Sequence, residues 1–222
     1  MRARRRSTAL AALAMFASAA NAASIPGLYN TGVLDDLMLA AAGTADLHYL
    51  LVVSPDVNFP GPNAIVASPI AAGYWQPNNS TSQWIGPALI QGYPSGAATH
   101  AAGAYTYRLT FDLTGLDPLT ASISGKWQAD NSGTAIRLNG VSTGNTAGSY
   151  TPLFSFAISS GFVSGLNTLD FVVNNLSAGG ANPTGLRVDS LVGTAAAVPA
   201  PAAGWLLGTG LLGVLGWRKH RR

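Results

Sequence analysis

The chain has no cysteine and no glutamate, and only 9% of its 222 residues are charged. The missing cysteine excludes a disulfide framework, a zinc ribbon, an iron–sulfur site and a thiol nucleophile. The sparse charge excludes a long solvated helix, a coiled coil and a charged disordered chain. All nine acidic residues are Asp. Glu favours helices and Asp favours turns, so this bias directs the reading toward strands joined by turns. A chain of this length can bury one core of its own.

The formal net charge of +3 belongs to the two ends. Arg2, Arg4, Arg5 and Arg6 open the chain, and Arg218, Lys219, Arg221 and Arg222 close it. Between Ala23 and Trp217 four basic residues stand against nine Asp, a net of −5. Without a basic stripe, this body offers nothing to a nucleic-acid backbone.

Residues 1–22 have three parts. The Arg-rich start is followed by an apolar run from Ala9 to Ala20, then by Ala20-Asn21-Ala22, an A-x-A cleavage pattern. This is the pattern of a secretory signal peptide, cut before Ala23. It implies the Sec translocon and signal peptidase as transient partners. The C-terminus is organised in turn. Residues 195–201 form a linker ending in Val198-Pro199-Ala200-Pro201. Residues 202–217 are uncharged and rich in Leu and Gly. As a helix they would span roughly 24 Å, a short membrane crossing bracketed by Trp205 and Trp217. Residues 218–222 form a basic tail, which the positive-inside rule keeps in the cytoplasm.

This tail, Val198 to Arg222, resembles the PEP-CTERM sorting signal of Gram-negative bacteria: a Val-Pro-Glu-Pro type motif, a transmembrane helix and an Arg-rich end. The motif falls on Pro199, Ala200 and Pro201, with Ala200 where Glu is usual. The resemblance implies recognition by an exosortase. It also implies export linked to exopolysaccharide and biofilm: an inner-membrane precursor with a periplasmic ectodomain, then the cell surface or matrix.

Residues 23–194 read as an all-β ectodomain. Tyr105, Tyr107, Leu109, Phe111 and Leu113 alternate with Thr106, Arg108, Thr110 and Asp112. Ala121, Ile123, Gly125, Trp127 and Ala129 alternate with Ser122, Ser124, Lys126 and Gln128. Period two over nine residues predicts a strand in each case. Further strands are expected at 47–53, 135–138, 153–159, 168–174 and 186–192. Asn139-Gly140 is a hairpin turn pair. Leu34 to Ala42 is expected to form a short helix, with Asp35 and Asp36 in its first turn. Residues 55–104, rich in Pro, Gly, Asn and Ser, are expected as long loops with short strands inserted at one end of a single antiparallel β-sandwich.

One stretch adds detail. Ile136-Arg137-Leu138-Asn139-Gly140 is followed by Gly165-Leu166-Asn167-Thr168-Leu169. This is similar to the second half of a galactose-binding-like jelly roll, over residues 105–192. The likeness implies a jelly-roll sandwich, a fold common in carbohydrate-binding modules. Gly165 and Asn167 would open a strand whose Leu169, Phe171 and Val173 point inward.

Chemistry is sparse. The ectodomain holds two His, His48 and His100, with no Gly-x-Ser-x-Gly and no zinc spacing. No catalytic residue emerges, and no cofactor is expected. Asp35, Asp36, Asp46 and Asp130, with Asn131, are the candidates for a structural calcium. Tyr74, Trp75, Trp84 and Tyr93 lie in loop-like segments beside Gln76, Asn78, Asn79 and Gln91. Sugar faces stack on exposed rings, so these four aromatics are the candidate ligand-binding residues. The readings left open are a non-enzymatic exported surface or matrix protein that binds exopolysaccharide, a carbohydrate-active hydrolase, and a purely structural ectodomain.

Overall fold

The computed structural model describes residues 21–92 and 99–198. Its strands are β1 (Ala22–Ser24), β2 (Ala45–Val53), β3 (Asn63–Val66), β4 (Ile85–Gly86), β5 (Gly103–Asp112), β6 (Ser122–Asp130), β7 (Ser132–Leu138), β8 (Val141–Ser142), β9 (Phe154–Ile158), β10 (Leu166–Asn175) and β11 (Gly185–Ala196). All pair antiparallel in one eleven-stranded sheet, in the order β8-β7-β10-β5-β2-β3-β4-β11-β6-β9, with β1 on β11. The all-β antiparallel expectation is met. The strands form one continuous sheet, curled into a half-barrel, rather than two separate ones.

The alternation in β5 and β6 explains the curl. Tyr105, Tyr107, Leu109 and Phe111 on β5 are buried, as are Ile123, Trp127 and Ala129 on β6. Each half of the sheet therefore has an apolar inner face that must be covered by the other. The halves meet through rings: Trp127 of β6 and Phe156 of β9 lie 5.5 and 5.9 Å from Phe171 of β10. Leu169, Phe171 and Val173 point inward as expected. The close approach depends on Gly133. A Cβ there would stand 2.2 Å from the Trp127 ring.

The Asn139-Gly140 turn is also as expected. Both residues have positive φ, 52° and 82°, and they join Leu138 to its partner Val141. Asn139 also reaches the start of β10, accepting from Thr168 N–H and donating to Asn167 Oδ1. Asn167 in turn closes its own loop through Val163 and Gly165.

Two expectations fail. Leu34 to Ala42 is no helix. Val33 bridges Leu39, Leu34 N–H donates to Met38 O, and Leu37 has φ 67°. Asp36 drives this turn by accepting from Met38 N–H, the local bond by which Asp competes with a helix. Residues 55–104 are not appended at one end. Their strands β3 and β4 stand mid-sheet and join the half ending in β2 to the half beginning at β11.

Candidate functional site

The described ectodomain begins and ends on one pair of strands. Ala22, Ala23 and Ser24 pair with Ala196, Ala195 and Thr194. The exit is held further. Asp117 N–H donates to Ala196 O, Ala197 bridges Leu116, and Val198 N–H donates to Gly115 O at 2.9 Å. Ordered pairing thus runs to Val198, directly before Pro199. The motif residues Pro199, Ala200 and Pro201, the segment 202–217 and the basic residues Arg218, Lys219, Arg221 and Arg222 lie outside the described residues, as do residues 1–20. Among the described residues no helix is long and apolar enough to cross a membrane.

The aromatic candidates separate sharply. Trp84 is 0% exposed and Trp75 2%, their rings 4.2 Å apart. With Ala67 and Ala71 they form a second small core under the loop, with Tyr150 against it. Trp84 is therefore buried support for Trp75 and has no surface to offer. Tyr74, 49% exposed, stands at the rim. Tyr93 lies outside the described residues. The polar neighbours are consumed by the loop itself. Asn78 Oδ1 accepts from Trp84 N–H, and Asn79 Oδ1 accepts from Thr81 and Ser82 N–H. Gln91 lies in the core, where it bonds to Ala88, His100 and Thr184.

Trp75 and Tyr74 share a cavity of about 150 Å³ with Asp130, Asn131, Tyr150 and Pro183. Asp130 comes from the last position of β6. Its Oδ2 accepts from Trp75 Nε1 at 2.7 Å, and its carbonyl accepts from Thr184 Oγ1. Trp75 fits here because residue 185 is Gly. A Cβ at that position would meet Ile85 O at 2.8 Å and the Trp75 ring at 2.9 Å. Burial pushes the Asp130 carboxyl up to about 6, and the indole hydrogen bond only partly opposes it. Sequence reasoning offered Asp130 only as a calcium candidate and missed its meeting with Trp75, which is 55 positions away.

The loop over this cavity is locked to β11 from below. Arg187 is buried, donating from Nε to Ser82 Oγ and from Nη1 to Pro77 O. Asp189 accepts from Asn79 Nδ2 and Thr81 Oγ1, with Arg187 Nη2 at 3.6 Å. Burial would raise the Asp189 carboxyl, but these bonds and the Arg187 charge outweigh it and hold it below the usual carboxylate range.

The two histidines sit in different surroundings. His100 lies between Asp56 Oδ2, 3.3 Å from Nδ1, and Gln91 Nε2, 2.8 Å from its own Nε2. Both ring nitrogens are thus engaged, and burial lowers the imidazole below its ordinary value. His48 is stacked on Tyr29 at 3.6 Å, with Asp35 Oδ1 3.8 Å from Nε2. No Ser or Thr hydroxyl bonds to either ring among the described residues. The calcium candidates do not converge. Asp46 Oδ1 and Oδ2 accept from Gly32, His48 and Tyr49 N–H, Asp36 caps its own turn, and Asp130 faces Trp75. Among the described residues no group of three His, Asp, Glu or Cys side chains comes together.

Comparison with known families gives a match at the end of the chain. Residues 197–222 match the PEP-CTERM protein-sorting motif. The chain carries a PEP-CTERM sorting signal. The signal marks an exported protein sorted by an exosortase. No curated protein and no solved structure matches the chain.

Proposed function

We propose that the chain is a non-enzymatic surface or matrix protein whose ectodomain binds exopolysaccharide. The signal peptide of residues 1–22 carries it across the inner membrane through the Sec translocon. The helix of residues 202–217 then anchors it, with residues 218–222 in the cytoplasm, until an exosortase acts on the tail. The ectodomain is a galactose-binding-like jelly roll whose Asn139-Gly140 hairpin and Asn167-led β10 carry the likeness.

One observation carries the reading: the sorting motif at residues 197–222 follows directly on the pairing that closes the ectodomain. Signal-peptide cleavage before Ala23 leaves Ala23 and Ser24 on their partners Ala195 and Thr194. Both processing steps therefore fall at one end of the β1–β11 pair, and neither cuts into the core. Polysaccharide binding rests on the Tyr74, Trp75 and Tyr150 rings around the Asp130 cavity. The experiment is to replace Pro199 and Pro201 and to follow the protein by cell fractionation. Retention in the inner membrane supports the reading, and unchanged release from the cell rejects it.

A further inference from the structure

One end of the sheet carries both the exit toward the sorting signal and several exposed aliphatic side chains. Asp112, the last residue of β5, stands opposite Leu166, the first of β10, and Leu113 N–H donates to Gly165 O. The turn that follows β5 holds the end of β11 through Gly115, Leu116 and Asp117. Asn139, in the β7–β8 hairpin, reaches the same end by donating to Gly161 O and accepting from Thr168 N–H. Here Leu119 is 91% exposed, Val141 71%, Leu166 70%, Val198 55% and Val163 47%.

The most exposed of them is presented by a fixed turn. Leu119 lies in the 3-10 turn Pro118–Thr120, which Asp117 caps by accepting from Leu119 N–H. Thr120 Oγ1 donates to Asp117 O and accepts from Ala196 N–H, which ties that turn to β11. Residues 112–122, 138–145, 159–168 and 194–198 hold no Lys or Arg. Their charges are Asp112 and Asp117, each of which accepts from an N–H of its own turn. The order of the chain says what covers this end. Val198 N–H is bonded to Gly115 O, and the apolar run begins at Ala202. Four steps of about 3.6 Å keep Val198 within roughly 14 Å of Ala202 by any path. A bilayer crossed by residues 202–217 is therefore within reach of these side chains. So short a tether makes the contact intramolecular, and weak apolar contacts then suffice.

We propose that this end of the ectodomain docks on the membrane surface, with Leu119, Leu166, Val141 and Val198 dipping into the lipid. The inference rests on the membrane helix of the proposed function. The partner is a lipid surface taken up by apolar insertion, since this end offers no cation to an anionic headgroup. Insertion removes exposed apolar surface from water, which is what drives it. Docking also sets an orientation. Asp130 and Gly185 lie at the far ends of β6 and β11, so the cleft beside Trp75 faces away from the bilayer.

The test uses the full chain reconstituted into phosphatidylcholine vesicles. The chain has no cysteine, so Leu119→Cys, Leu166→Cys, Val57→Cys and Thr209→Cys each give a single site for a fluorescent dye. The readout is quenching by nitroxides carried on the lipid acyl chains. Val57 is 88% exposed and follows β2 at the opposite end of the sheet, so it serves as the control. Dye at 119 and at 166 is expected to be quenched several-fold more than dye at 57. Leu119→Asp is expected to lower the quenching at 166 several-fold with an unchanged melting temperature. Strong quenching at 209, with 119 and 166 no different from 57, overturns the docking and leaves the membrane helix standing. No quenching at 209 overturns the helix and, with it, the docking that rests on it.

Discussion

Trp75 donates its indole Nε1–H to Asp130 Oδ2 at 2.7 Å, joining the irregular segment between β3 and β4 to the end of β6. The bond is short, buried and made to a charged acceptor, the class worth most in a folded protein. It positions the carboxylate and fixes the ring in one contact. It also leaves the second oxygen buried without a hydrogen bond. The candidate site is thus a by-product of how this long connection is held down.

The raised Asp130 carboxyl makes stability depend on pH. Its folded value of about 6 exceeds the ordinary 3.8, so the folded state binds this proton more tightly than the unfolded chain does. The cost is absent below about pH 4, grows as pH rises through that interval, and is complete above about pH 6. A shift of that size is of order 2–3 kcal/mol. Asp130→Asn should therefore match the parent near pH 4 and exceed it in stability at pH 7. Urea unfolding of both proteins across pH 4–8 checks this, and a difference that does not change with pH refutes it.

Trp84 and Tyr74 should respond in opposite ways to truncation. Trp84→Ala removes a fully buried ring and the bond from its Nε1 to Gln76 O, so a loss of about 3–5 kcal/mol is expected. Tyr74→Ala, at a half-exposed ring, should cost no more than about 1 kcal/mol. Thermal melts of the two variants give the comparison. Equal losses would contradict the burial described here.

Arg187→Ala should destabilise strongly, by about 3–5 kcal/mol, because it strands Asp189 in a buried setting without its cation. The loop carrying Trp75 and Trp84 is tied through Arg187 to Ser82 and Pro77, so amide exchange across residues 74–84 should accelerate with it. Unchanged exchange there would show that the tie is not what holds the loop.

Gly133→Ala places a methyl group against the Trp127 ring, where a Cβ would approach to 2.2 Å. An overpacking cost of about 1–3 kcal/mol is expected. Gly179→Ala, whose Cβ would meet nothing within 4 Å, should cost far less. Chemical denaturation of the pair decides it.

Period-two alternation made β5 and β6 legible before any coordinates, and Asn139-Gly140 marked its own hairpin. Those signals are local, carried within nine residues or two. β3 and β4 escaped because four and two residues are too short for a period to register. Leu34 to Ala42 misled because Asp suits a helix start and an Asx turn equally; the Met38 N–H bond chose the turn. The difference between Trp84 and Tyr74 has no local signal at all. Both stand in an aperiodic loop, and only the descent of that loop onto Arg187 and Asp130 buries one ring and leaves the other at the rim. The C-terminal sorting signal was legible for the opposite reason, since a motif, an apolar run and a basic end are written in order along the chain.

The central claim is that the chain is exported and processed at its rear signal. Intact-mass spectrometry of the protein recovered from the producing cells tests it most directly. Exported material is expected to begin at Ala23 and to lack the residues after Pro201. Recovery of uncut Met1–Arg222 from the cytosol, with no shorter exported form, would contradict it.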